Sequence, residues 1–274
     1  MQKMHDVMQD DLRRTWAAGR RKWGMATLAV LVIAPFSVKA QASVRIKIAA
    51  ASNLKFVLAD LTSQYKQQTG VQVDVNLGAS GNLARQILQG LPVEQFISAD
   101  EERVAELAQA GRTRDTGQRY ATGRLALIVP KNSALPLAQG LAAVVRALKP
   151  GDKLAMANPA LAPYGMAAEE ALQRSGVGGL AARHKVLGEN IGQTTQFVAT
   201  GAAQAGITAL AMTTAPEIAQ TLQVLPLPAH LHAPLNQRMV LLKQASSAAA
   251  AWHRFLLSPQ AQTVFVRHGY ALPQ

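Results

Sequence analysis

From residue 44 onward the chain alternates between two hydrophobic periods. VRIKIAA at 44–50 swaps apolar and basic positions and then turns wholly apolar, as a strand does when its far end is buried on both faces. In LKFVLADLTSQY, residues Leu54, Val57, Leu58, Leu61 and Tyr65 fall at helical spacing, and Gly70 supplies a stop signal. VQVDVNL then alternates strictly, GNLARQILQG is a short helix with Leu83 and Ile87 four apart, QFISAD a third strand and EERVAELAQAG a third helix. This βαβαβα succession predicts a parallel sheet covered by helices. A second unit repeats the grammar: strand RLALIVP at 124–130, helix GLAAVVRALKP, strand KLAMANP, helices GMAAEEALQRSG and NIGQTTQFVATG, and strand AGITALAM. The Pro-rich passage LPLPAHLHAPL at 225–235 leads to strand QRMVLLK and a last helical stretch, SAAAAWHRFLLSPQAQTVFVRHG. The expected architecture is two α/β lobes, 43–123 with 232–274 and 124–231, each a mainly parallel sheet flanked by helices. Two crossings join them, and a hinge motion would close them on a ligand.

The first segment has a different composition. RRTWAAGRRKWG is basic, MATLAVLVIAPFSV is apolar but shorter than a membrane span, and AQA at 40–42 is a small-x-small cleavage site. Residues 1–42 are therefore expected to be an export signal cut after Ala42, with Pro35 arguing against a stable spanning helix, and the mature chain is expected in the periplasm. The pairs Arg13-Arg14 and Arg20-Arg21 leave general and twin-arginine export both open. The full chain of 274 residues carries a net charge of +12, and loss of seven Lys/Arg and three Asp with the leader leaves about +8. A positive field speeds encounter with small anions. Nucleic acid is not the expected partner, because residues 43–274 contain no Lys/Arg run interleaved with aromatics. With no cysteine there is no disulfide, thiolate nucleophile or cysteine metal site.

In α/β folds of this kind ligands sit outside the carboxyl ends of the strands, on the turns that open helices. Four such turns have suitable composition: Ser52-Asn53, GASGN with Ser80, NPALAPYG with Tyr164, and GENIGQ with Ile191. Each precedes a helix whose first N–H groups lack internal partners and carry positive partial charge. Converging, they would suit a small oxyanion, with Ser and Asn side chains adding donors. No carboxylate accompanies these donors, which favours a fully deprotonated ligand over one that needs an acceptor for its proton. The competing account is local: Ser and Asn are ordinary helix caps, and GASG can be a tight turn that needs glycine.

AAAS after the first strand, GASGNLARQI after the second, FISAD in the third and NPALAPYGMAAEEAL in the second lobe resemble the periplasmic molybdate-binding components of ABC importers. The resemblance runs from about residue 45 to QAQTVFVRHGY. It implies a type II periplasmic-binding-protein fold that holds a tetrahedral dianion, molybdate or tungstate, between two lobes by neutral donors, with no catalysis, no cofactor and no direct protein–metal ligand. By position, Ser52 and Ser80 match the hydroxyl donors of the first lobe, and Tyr164 and Ile191 match second-lobe backbone N–H donors. Asn53 resembles an Asn that follows the first hydroxyl residue in one branch of the family. The implied partner is the importer's membrane permease, and the implied state is a monomer. Two departures stand out. Ala209 replaces a tyrosine that donates its hydroxyl in some members, with Asn53 and Tyr164 expected to compensate. Pro92-Val93-Glu94 replaces a Pro-Ala-Asp and is read as a structural change away from the ligand.

Other chemistries have weaker support. His230 and His232 face one way on an extended segment but have no third metal ligand nearby. A serine hydrolase would need an elbow that GASGN does not provide, and no Gly-x-x-x-x-Gly-Lys-Ser/Thr phosphate loop exists. The remaining alternative is the same fold binding another oxyanion such as sulfate, a metal ion or a small organic anion.

Overall fold

The computed structural model describes residues 44–273, so the export signal expected over residues 1–42 lies outside the described residues. The chain runs β1 (Arg45–Ala51), α1 (Lys55–Thr69), β2 (Gln72–Gly78), α2 (Ser80–Leu88), β3 (Gln95–Ile97), α3 (Glu102–Gln109) and β4 (Gln118–Gly123). It continues with β5 (Leu125–Pro130), α4 (Leu141–Ala147), β6 (Leu154–Ala157), α5 (Pro163–Arg174), α6 (Gly178–Ala181) and β7 (Lys185–Gly188). Then follow α7 (Ile191–Ala199), β8 (Ala205–Ala209), α8 (Pro216–Ala219), β9 (Leu222–Pro226), β10 (Leu235–Leu241), α9 (Ser247–Leu256) and α10 (Pro259–Arg267). A single 3-10 turn, Ser52–Leu54, joins β1 to α1.

Two five-stranded sheets form, in the orders β2-β1-β3-β10-β4 and β7-β6-β8-β5-β9. The orders are equivalent: β6 stands where β1 does, β7 where β2 does, and β5 where β10 does. In each sheet the next-to-edge strand, β10 or β5, is antiparallel to both neighbours, so the sheets are mixed rather than uniformly parallel. Chain direction explains the reversal. The chain leaves β4 and β9 at their carboxyl ends, crosses between the sheets, and therefore enters β5 and β10 at that same end.

The hydrophobic periods account for most of these elements. Along β1, Arg45 and Lys47 are exposed while Ile46, Ile48 and the three alanines are buried. On α1, Val57, Leu58, Leu61 and Tyr65 are buried, and Gly70 ends the helix in the left-handed conformation at φ 73°. Tyr65 meets Trp252 of α9 edge-on at 5.1 Å between ring centroids, which fixes the C-terminal helices against the first sheet's helical layer. The last helical stretch is two helices, because Ser258 caps α10 and Pro259 occupies its first turn. Proline has no N–H for the preceding turn and clashes with its carbonyl, so α9 cannot run on. β4, β7 and β9, which hydrophobic alternation does not reveal, are all edge strands. Among the described residues, no helix is long and apolar enough to cross a membrane.

Candidate anion-binding site

The turns after β1, β2, β6 and β7 leave their sheets at equivalent positions, two from each sheet. They bring Ser52, Asn53, Ser80, Tyr164 and Ile191 around one small cleft. The rest of its wall is Ala51, Gly78, Ala79, Ala99, Ala162 and Pro163, small residues that let backbone approach a ligand closely. Among the described residues, no charged one lines the cleft.

The serines are not helix caps. The cap positions of the Ser52–Leu54 turn, α2 and α5 are Ala51, Ala79 and Ala162, with no side-chain cap bond at any of them. Elsewhere this chain does cap with side chains, at Asn190, Ser246 and Ser258, each accepting from a backbone N–H three residues on. Ser80 instead accepts the Ala99 N–H on Oγ at 3.0 Å. Ser52 Oγ accepts the Gly192 N–H at 3.4 Å from the other lobe. A hydroxyl that accepts from a backbone N–H keeps its own hydrogen to donate. The backbone N–H groups of Ser80, Tyr164 and Ile191, each in the first turn of its helix, make no bond to another described residue's backbone.

The lobes touch at this cleft. Besides the Gly192–Ser52 bond, the Gly81 N–H donates to the Leu161 carbonyl at 3.0 Å, from the start of α2 to the loop before α5.

Asn53 and Tyr164 are engaged differently from the expected compensation for Ala209. Asn53 Nδ2 donates to Gln237 Oε1 at 3.0 Å and to the Tyr270 hydroxyl at 2.9 Å, which uses both amide hydrogens. The Tyr164 hydroxyl accepts from Gln237 Nε2 at 2.9 Å, on the side of β10. Burial holds that phenol above its ordinary pKa, the amides of Gln237 and Asn53 drawing it part of the way back. The Asn53 side chain thus has no hydrogen left to donate to a ligand. Gln237, Tyr120 and Tyr270, which complete this buried network, were not singled out from the sequence. Gln237 did carry a signal: it stands in phase with the buried Leu235 and Met239 along β10.

Beyond Ala99 and Pro163, which line both spaces, lies a wider groove lined by Asp100, Glu101, Glu102 and Glu170. Its charges are partly balanced. Arg119 and Arg238 bond Glu101 and hold its carboxyl at about 2, and Arg174 pairs with Glu170 at 3.4 Å. Burial pushes the Asp100 carboxyl up, against bonds from the Arg103 N–H and the Ser98 hydroxyl. His230 and His232 do not face one way as expected: a 3-10 turn over Ala229–Leu231 leaves His230 exposed and His232 buried, with its Nδ1 at 2.6 Å from the Ala233 carbonyl. Among the described residues no three His, Cys, Asp or Glu side chains assemble into a metal-holding group.

Residues 46–271 match the family model described as bacterial extracellular solute-binding protein. The chain belongs to that family. It is 32% identical over 254 residues to the molybdate-binding protein ModA of Azotobacter vinelandii, covering 91% of this chain and 99% of that one. It is 33% identical to ModA of Rhodobacter capsulatus, over 81% of this chain and 86% of that one. Among solved structures, the periplasmic molybdate-binding protein of Azotobacter vinelandii superposes with a TM-score of 0.76 at 30% identity, over 84% of this chain and all of that one. The sulfate-binding protein SubI of Mycobacterium tuberculosis shares the fold at 16% identity and a TM-score of 0.68, over 83% of this chain and 86% of that one.

Proposed function

We propose that this protein captures molybdate in the cleft between its lobes, outside the cytoplasm, and delivers it unchanged to the permease of an ABC importer. Tungstate, of nearly the same size and charge, is the expected second ligand. The observation that carries this reading is a cleft walled by neutral residues, into which four turns from equivalent positions bring serine hydroxyls and unpaired helix-start N–H groups. Similarity to the molybdate-binding relatives supports molybdate among the oxyanions.

The chemistry follows from the donors. Ser52 and Ser80 offer O–H groups, and the turns opening at Ser80, Tyr164 and Ile191 offer N–H groups at the positive ends of helices. These fixed dipoles replace the hydration shell of a dianion without a countercharge. The absence of a carboxylate removes the acceptor that a hydrogen-bearing oxyanion would require. Because the donors are divided between lobes, closing the lobes completes the cage, and opening them releases the ion. Residues 1–42 serve as the leader that places the chain in the periplasm.

Titration calorimetry of residues 43–274 with molybdate tests the reading. The expected result is one site per chain, with small-angle scattering showing compaction at saturation; absence of binding heat would overturn the assignment. Ser52→Ala is expected to weaken molybdate binding by about 1–3 kcal/mol, since it removes a donor to a buried charge. Its melting temperature is expected to stay near the parent's, because no helix cap is lost. Unchanged affinity in this variant would take Ser52 out of the cage.

A further inference from the structure

We propose that Gln237 is a positioning residue that latches the two lobes shut over the bound ion. The proposal deepens the molybdate reading and rests on it for the identity of the ligand. Gln237 is fully buried on β10, the strand by which the chain re-enters the first sheet. Its register partner is Ala121, two residues before the end of β4 and next to the other crossing, and the pairing slips immediately after Gln237. One side chain therefore stands beside both connections on which the lobes must turn.

Its amide joins the ligand-facing turns of both lobes. Oε1 accepts from Asn53 Nδ2 at 3.0 Å and from the Tyr120 hydroxyl at 2.6 Å, both in the first lobe. Nε2 donates to the hydroxyl of Tyr164, the second residue of α5 in the other lobe, at 2.9 Å. Asn53 and Tyr164 are also both among the residues that line the cleft. The space for the Tyr164–Gln237 bond exists because residue 123 is glycine. A Cβ there would overlap both the Tyr164 hydroxyl and the Gln237 amide.

A bond across the hinge that is buried only in the closed form acts on the opening step. When the lobes part, Tyr164 withdraws and the amide must find water in its place, which costs little once the cleft is wet but opposes the start of opening. The latch should therefore slow release of the ion and leave capture by the open form unaffected. A merely structural role would lower thermal stability without dividing association from dissociation in this way.

Stopped-flow binding of molybdate to Gln237→Met and to Tyr164→Phe tests this, since Tyr164→Phe keeps the backbone donor and the Asn53–Gln237 bond while removing the hydroxyl. Both variants are expected to release molybdate about tenfold faster than the parent, while the association rate rises at most in proportion to the ligand-free fraction that is open. Interlobe separation is read from labels at Gln67→Cys on α1 and Leu180→Cys on α6, both exposed, in a chain with no cysteine of its own. Without ligand, both variants are expected to show wider separation than the parent. Parental release rates together with parental separations would overturn the latch. A parent that does not bind molybdate overturns the ligand assignment alone. The ligand-free separations then still decide the latch, wider values supporting it and parental values overturning it. Should Gln237→Met fail to fold, Tyr164→Phe gives the same readings.

Discussion

Ser80→Asp is expected to abolish molybdate capture while the protein still folds. Ser80 is the first residue of α2, behind Ala79 at the cap position. An acidic side chain in an exposed first turn stabilises a helix by about 0.3–1 kcal/mol, but Ser80 is buried, and desolvating a carboxylate there costs more than that gain. The aspartate can also accept the Ala99 N–H that Ser80 now accepts at 3.0 Å. For the ligand the cost is larger. A carboxylate in a cleft with no charged lining residue would face a dianion at contact distance, and like-charge juxtaposition of that kind costs several kcal/mol. A loss of affinity on the order of a thousandfold or more follows. Calorimetry and thermal unfolding of the same sample separate the two effects. Lost binding with a lowered melting temperature and a still cooperative unfolding transition is the expected result. Retained binding would remove this cleft as the site, and loss of the cooperative transition would make Ser80 a structural residue.

Sulfate is expected to compete poorly, by a factor on the order of a thousand relative to molybdate, whereas tungstate should bind almost equally. All three are dianions near neutral pH, so a cleft of neutral donors cannot rank them by charge. Size decides. In a cage fitted to the larger tetrahedra, sulfate oxygens fall short of some donors, and each buried donor left unpaired costs about 1–3 kcal/mol. Two or three such losses give the expected factor. The strength of this discrimination depends on how rigid the cage is. Ala209 brings no hydroxyl, but the network of Asn53, Gln237, Tyr120, Tyr164 and Tyr270 immobilises the turn after β1 and the start of α5 from behind. Competition of sulfate against bound molybdate checks this, and displacement at comparable concentrations would make the protein a general oxyanion binder.

Local chemistry in the sequence determined a large part of this structure. Alternation in VRIKIAA and the Leu54–Tyr65 spacing specify β1 and α1, because each buries one face against a neighbour whatever the rest of the chain does. The edge strands were less legible. Of the edge strands only β2 carries strict alternation; β4, β7 and β9 lack it, and β4 becomes a strand only through β10, which pairs Gln237 with Ala121 far along the chain. The five proposed ligand-facing residues were legible as short polar or neutral turns between strand and helix. What sequence left open was whether Ser52 and Ser80 cap their helices, since a capping serine and a ligand-facing serine look alike in a string of residues. Only the tertiary structure decided that, by placing alanine at the cap positions and turning the hydroxyls towards the Ala99 and Gly192 N–H groups. It also decided that the Asn53 amide supports the cleft from behind, because its hydrogen-bond partners Gln237 and Tyr270 lie 184 and 217 residues away. Contacts at that separation leave no periodic trace in the chain, since what pairs them is the return of β10 into the first sheet.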